Sequence, residues 1–79
     1  MKLELFERET CPYCQKVLRY LQVAKRDDVE LHDITADEAA RARLVEVGGM
    51  QQVPCLFIDG RPLYESDDII AWLRDHPQG

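Results

Sequence analysis

The residues whose types and spacing could do covalent chemistry in this chain are Cys11 and Cys14, in Thr10-Cys11-Pro12-Tyr13-Cys14. Two thiols in a C-x-x-C arrangement can attack a disulfide and then close on each other, so the motif between a strand and a helix points to dithiol redox chemistry. Such flanks are present. Lys2-Leu3-Glu4-Leu5-Phe6 reads as a strand, and Gln15 to about Lys25 reads as a helix. Pro12 suits the first helical position, where its fixed φ matches the helix and its missing N–H costs nothing. Cys11 then stands at the helix mouth, where orphan N–H groups and the positive dipole end favour a thiolate. Cys14 lies one turn in, in phase with Val17, Leu18 and Leu21, and is expected to be more shielded. The division of labour that follows is an exposed nucleophile, Cys11, and a resolving partner, Cys14.

Two other uses of the motif compete with this one. A structural zinc site usually needs a second Cys/His pair, and the remaining Cys55, His32 and His76 show no ligand spacing, so no metal is expected. A purely structural disulfide is the other alternative; the electropositive, accessible position of the pair argues against it. Cys55 follows Pro54 on an apolar run and reads as a small core residue. His32 reads as a surface residue in mid-strand, and His76 as a last-turn residue suited to the helix dipole. Trp72 and Met50 read as packing residues.

The elements that must position the cysteines can be followed along the chain. With 79 residues there is room for one domain, spanning 1–79, and the core must be compact with short loops. A net charge of −5 disfavours nucleic acid and anionic membrane surfaces as partners. An odd count of three cysteines does not suit a secreted disulfide framework, and no leader or bilayer-spanning run is visible, so the cytoplasm is the expected location. Glu7-Arg8-Glu9-Thr10 reads as a polar loop. The first helix carries its apolar stripe on Val17, Leu18, Leu21 and Ala24. Val29 to Ile34 alternates as a second strand, and a helix between two such strands implies a parallel pair. Thr35 and Glu38 read as a capping box for a second helix, whose buried face is Ala40, Leu44 and Val47 and whose stop is Gly48-Gly49. Cys55-Leu56-Phe57-Ile58, Asp59-Gly60 and Arg61-Pro62-Leu63-Tyr64 read as a hairpin with Pro62 on a sheet edge. Ser66 is the expected cap of a last helix, with Asp67 and Asp68 in its first turn, Ile69, Ile70 and Leu73 on its packing face, and Pro77 at its end. The order strand-helix-strand-helix-strand-strand-helix predicts an α/β sandwich with three helices on one four-stranded mixed sheet.

Arg8 to Cys14, the Val53-Pro54 pair before a strand, and Ser66-Asp67-Asp68 at the last helix together resemble a glutaredoxin, over essentially the whole chain. The resemblance implies the thioredoxin-like three-layer fold with Pro54 cis, and a glutathione site. Arg8 and Arg41 would meet the carboxylates of glutathione, Tyr13 would line the same groove, and the Val53 backbone would pair with its cysteine. Ser66 and Asp67 would hold the γ-glutamyl end. The chain departs from the family pattern at Gln52, where threonine is usual, and at Tyr64-Glu65, where two glycines are usual. Glu65-Ser66 is similar to the Glu-Ser pair of the N-terminal domain of glutathione transferases, which the last third of the chain resembles, so Glu65 is taken as a variant glutathione contact. The expected activity is a monomeric, glutathione-dependent thiol–disulfide oxidoreductase acting on protein disulfides or protein–glutathione mixed disulfides. Gln52 and the missing glycines motivate one alternative, a redoxin fed by a thioredoxin reductase. A second, an iron–sulfur cluster carrier, is disfavoured by Pro12-Tyr13.

Overall fold

The computed structural model describes residues 1–78. The elements are β1 (Leu3–Glu7), α1 (Pro12–Val23), β2 (Val29–Asp33), α2 (Glu38–Gly48), β3 (Cys55–Ile58), β4 (Arg61–Tyr64) and α3 (Ser66–Asp75). The sheet runs β2-β1-β3-β4, with β1 parallel to β2 and antiparallel to β3. Asp59 and Gly60 close the β3–β4 hairpin with φ of 50° and 85°, the pair of positive values that a two-residue type I′ turn demands. Pro62 lies on the edge strand opposite Phe57, where its missing N–H leaves no central ladder broken.

Each face of the sheet is covered, which makes three layers. Leu3, Leu5 and Leu56 pack with Val17 and Leu21 of α1 and Ile69 and Leu73 of α3. Phe6, Cys55 and Phe57 pack on the other face with Ile34 and with Ala40 and Leu44 of α2. Because β1 is central and covered on both sides, all five of its residues are buried, including Glu4 at 2% exposure. Arg43 of α2 satisfies that carboxylate with two bonds, one from Nη2 to Oε1 at 2.9 Å and one from Nη1 to Oε2. The guanidinium also lies over the Phe57 ring at 5.3 Å. His32, expected at the surface, is half-buried, with Nε2 3.3 Å from Glu4 Oε2.

Several local expectations are corrected. Glu7 is not in a loop: it is the last residue of β1 and buried. Asp37, not Thr35, caps α2, its side chain accepting from the N–H groups of Ala39 (3.0 Å) and Ala40 (3.2 Å). The Thr35 N–H is used in a turn instead, donating to Asp33 Oδ1 at 2.8 Å. Val47 is 46% exposed, because a short helix over a narrow sheet can bury only its Ala40–Leu44 stripe, and Met50, 49% exposed, lies in the loop beyond the helix stop. Ala24 is likewise exposed, as the residue that follows α1. Gly48 is still helical, and Gly49, at φ 85°, makes the stop. Ser66 is the first residue inside α3 rather than its cap; Glu65 holds the cap position at φ 73° and makes no side-chain cap bond.

Candidate active site

Cys11 occupies the cap position of α1 with extended backbone (φ −85°, ψ 121°), and Pro12 opens the helix. The loop ahead of it is pinned by the Cys11 N–H donating to the Arg8 carbonyl at 3.0 Å, and the helix begins with Gln15 N–H donating to Cys11 C=O at 3.0 Å. The sulfur is partly exposed. Burial pushes its thiol up, but the backbone N–H groups of Cys14 and Tyr13, the Cys14 thiol and the Arg8 charge outweigh it and hold the thiol below its ordinary value.

Cys14 is completely buried on the core face of α1, as its phase with Val17 and Leu21 predicts. Its sulfur accepts from the Arg8 N–H at 3.5 Å. Burial pushes this thiol up to about 12, and the neighbouring Cys11 and Glu7 charges push the same way. One helix turn therefore holds an ionisable sulfur at its mouth and a protonated one inside, both as free thiols.

Facing Cys11 is the loop before β3. The Val53–Pro54 bond is cis and Pro54 is buried, and the Val53 carbonyl oxygen lies 4.0 Å from the Cys11 sulfur. A groove of about 610 Å³ opens beside this pair. Tyr13, Gln52, Val53, Pro54, Glu65, Ser66 and Asp67 all line it, together with Asp68. Gln52 Nε2 donates to Glu65 Oε1 at 3.4 Å, joining the two departures from the family pattern across the groove. Lys16 pairs with Asp67, tying α1 to the first turn of α3.

Arg8 and Arg41 are not in that groove. They line a separate cleft of about 390 Å³ with Thr35, Glu38 and Gln51. Gln51 faces one cleft and Gln52 the other, so the loop before Val53 is the ridge between them. Cys55 is buried beneath, its thiol pushed up to about 11 by burial, which suits a packing residue. His76 stacks on Trp72 with ring centroids 4.0 Å apart and bonds the Trp72 carbonyl, away from either cysteine.

The glutaredoxin family model matches residues 3–63, which takes in both cysteines and the cis proline. The chain belongs to the glutaredoxin family. It is 34% identical over 73 residues to a probable glutaredoxin of Synechocystis sp., with 89% of this chain and 80% of that one covered. The crystal structure of the thioredoxin-like protein BC3987 superposes with a TM-score of 0.76 at 27% identity, covering 91% of this chain and 99% of that one. A glutathione transferase family member from Pseudomonas fluorescens, solved with bound glutathione, gives 0.78 at 28% identity, covering 98% of this chain and 39% of the other. The glutaredoxin fold is thioredoxin-like, and the activity of the family is thiol–disulfide oxidoreduction.

The Asp68 lining, the Asp37 cap and the Glu4–Arg43 pair escaped sequence reasoning. Asp68 carried a signal, since consecutive acids in a first turn diverge by about 100° and one can face a groove. Glu4 carried none, because alternation in a strand does not say whether the second face is covered.

Proposed function

We propose that the protein is a glutathione-dependent thiol–disulfide oxidoreductase in which Cys11 is the nucleophile and Cys14 resolves. The observation that carries this is the split between the two sulfurs: Cys11 partly exposed and lowered, Cys14 buried and raised. The Cys11 thiolate attacks one sulfur of a substrate disulfide. A mixed disulfide forms on Cys11 as the substrate S–S bond breaks, and the leaving thiolate takes a proton from water. Cys14 then gives up its proton and attacks the Cys11 sulfur, releasing the second thiol and leaving a Cys11–Cys14 disulfide. Two molecules of glutathione restore the dithiol and leave as the oxidised dimer; alternatively one glutathione thiolate resolves the mixed disulfide directly.

The groove supports glutathione as the thiol bound there. A tripeptide lying along the Val53 backbone would place its ammonium near the Glu65 and Asp67 carboxylates and a carboxylate over the first N–H groups of α3. Its other carboxylate would reach past the Gln51–Gln52 ridge toward Arg8 and Arg41. The transferase-family neighbour was solved with bound glutathione. Protein disulfides and protein–glutathione mixed disulfides are the substrates. The cytoplasm suits a dithiol that must be re-reduced; no helix among the described residues is long and apolar enough to cross a membrane.

The test is reduction of a glutathione mixed disulfide, coupled to glutathione reductase, with wild type, Cys11→Ser and Cys14→Ser. Cys11→Ser is expected to abolish turnover, a loss of at least about a thousandfold for a removed nucleophile. Cys14→Ser separates the routes: retained turnover shows direct resolution by glutathione, and parallel loss shows the dithiol route. Wild type that ignores glutathione but is reduced by a thioredoxin reductase would assign the electron donor to that enzyme. The Gln52–Glu65 bond across the groove favours examining that second donor.

A further inference from the structure

The two edges of the sheet are not alike. β4 carries Pro62, which has no N–H to offer another strand. β2, the other edge, is in unbroken register with β1 from Val29 to Asp33 and has no proline. The Ile34 N–H donates to the Glu7 carbonyl at 3.0 Å, and backbone direction alternates along a strand, so Glu30, His32 and Ile34 turn their N–H and C=O groups to β1. Val29, Leu31 and Asp33 turn theirs outward, where no further strand of the described residues takes them up. The Asp33 carbonyl alone of these is used, by the Asp37 N–H at 2.9 Å. The side chains divide in the same way. Leu31 is 53% exposed and, with Val29, lines a groove of about 530 Å³ between β2 and α1 that also holds Arg19 and Arg26. Glu30 and His32 lie on the opposite face, beside Glu4.

We propose that this edge pairs with the same edge of a second copy, antiparallel about a two-fold axis at Leu31, giving a homodimer with one continuous sheet in place of the monomer that the family resemblance implies. The outward backbone groups dictate the register. Leu31 meets Leu31 of the other copy as a hydrogen-bonded pair, exchanging both N–H···O=C bonds, and each Asp33 N–H reaches a Val29 carbonyl across the axis. Glu30 then stands opposite His32 of the other copy in a non-hydrogen-bonded pair, the closer spacing for side chains. A carboxylate meets an imidazole on each side of the axis, because a two-fold interface repeats every contact. Moving the axis by one residue sets Glu30 against Glu30, or His32 against His32, like groups face to face. On the other face the two Leu31 side chains cover each other. Each Asp33 comes over Val29, at a groove whose lining has two arginines and no acid. The net charge of −5 on each copy opposes the association and keeps the dimer weak.

Sedimentation equilibrium tests this, with a dithiol reductant present so that no intermolecular disulfide forms. Over concentrations up to about 1 mM, the range of weak and small interfaces, the dimer fraction is expected to grow. Amide hydrogen exchange followed by NMR locates the contact. The Leu31 and Asp33 N–H groups should exchange more slowly as concentration rises, while those of β4 keep their rates. Leu31→Lys places two like charges on the axis and should weaken association at least about tenfold. Glu30→Lys sets a cation opposite each His32 and should weaken it about fivefold. A monomer at every concentration overturns the proposal. So does association in which the Leu31 and Asp33 amides exchange at an unchanged rate, or that both variants leave intact, since the contact then lies elsewhere. Should either variant fail to fold, the wild-type exchange decides the matter. Neither cysteine lies on this edge, so each of these failures leaves the oxidoreductase reading standing.

Discussion

At the scale of single residues, the two cysteines share a helix turn and differ in what surrounds them. Cys11 has N–H groups and Arg8 within reach of its charge; Cys14 has the core. Alkylation of Cys11 by iodoacetamide, followed against pH by mass spectrometry, should show a midpoint below the roughly 8.5 of a free thiol. Arg8→Ala removes a positive charge that favours the thiolate, so the midpoint should rise. A midpoint that does not move would mean that the backbone N–H groups and the Cys14 thiol lower the Cys11 thiol without help from Arg8. The contrast in surroundings was legible because Pro12 fixes the start of the helix, and a helix start fixes which sulfur stands at its mouth and which faces the core.

At the scale of elements, caps and turns decide where each helix begins. The run Asp33-Ile34-Thr35-Ala36-Asp37-Glu38 offers two acceptors with suitable spacing, and sequence preference does not choose between them. The fold chooses. Asp33 ends β2 with its side chain turned back onto the Thr35 and Ala36 N–H groups, so the helix starts two residues later on Asp37. Asp37→Ala should therefore cost about 1 kcal/mol in urea denaturation, and Thr35→Ala a few tenths at most. Equal costs would return the cap to Thr35. The hairpin was legible, since few dipeptides besides Asp-Gly accept two successive positive φ values so readily. Glu65 was not: a glutamate at φ 73° at the mouth of α3 violates local preference, and its side chain is instead turned to Gln52 and the groove.

At the scale of the whole molecule, the sheet is covered on both faces, which buries carboxylates on its central strand. Glu4 is lowered, first by its hydrogen bond to Arg43, against the cost of burial. Its stabilising share is present above the unfolded value of 4.5 and is lost as pH falls through the folded value. Glu7 goes the other way: burial raises it, with Asp33 and Glu9 adding repulsion. A carboxyl raised in the native state weakens folding as pH climbs above 4.5, because the unfolded chain releases that proton first. Glu7→Gln should accordingly raise Tm at pH 7, and the gap from wild type should close as pH falls below 4.5. A gap that persists in acid would point to packing rather than charge at this position.

Local pattern alone determined the element order, the dithiol at a helix mouth, the Asp59-Gly60 turn and the edge placement of Pro62, since each depends on backbone preferences acting over a few residues. Tertiary structure alone decided that Glu4 and Glu7 are buried, that Asp37 does the capping, and that Arg8 and Arg41 stand across a ridge from the groove holding Glu65 and Asp67. Those facts depend on which faces of the sheet are covered and which distant loops meet, and residues 40 positions apart carry no local signal of meeting.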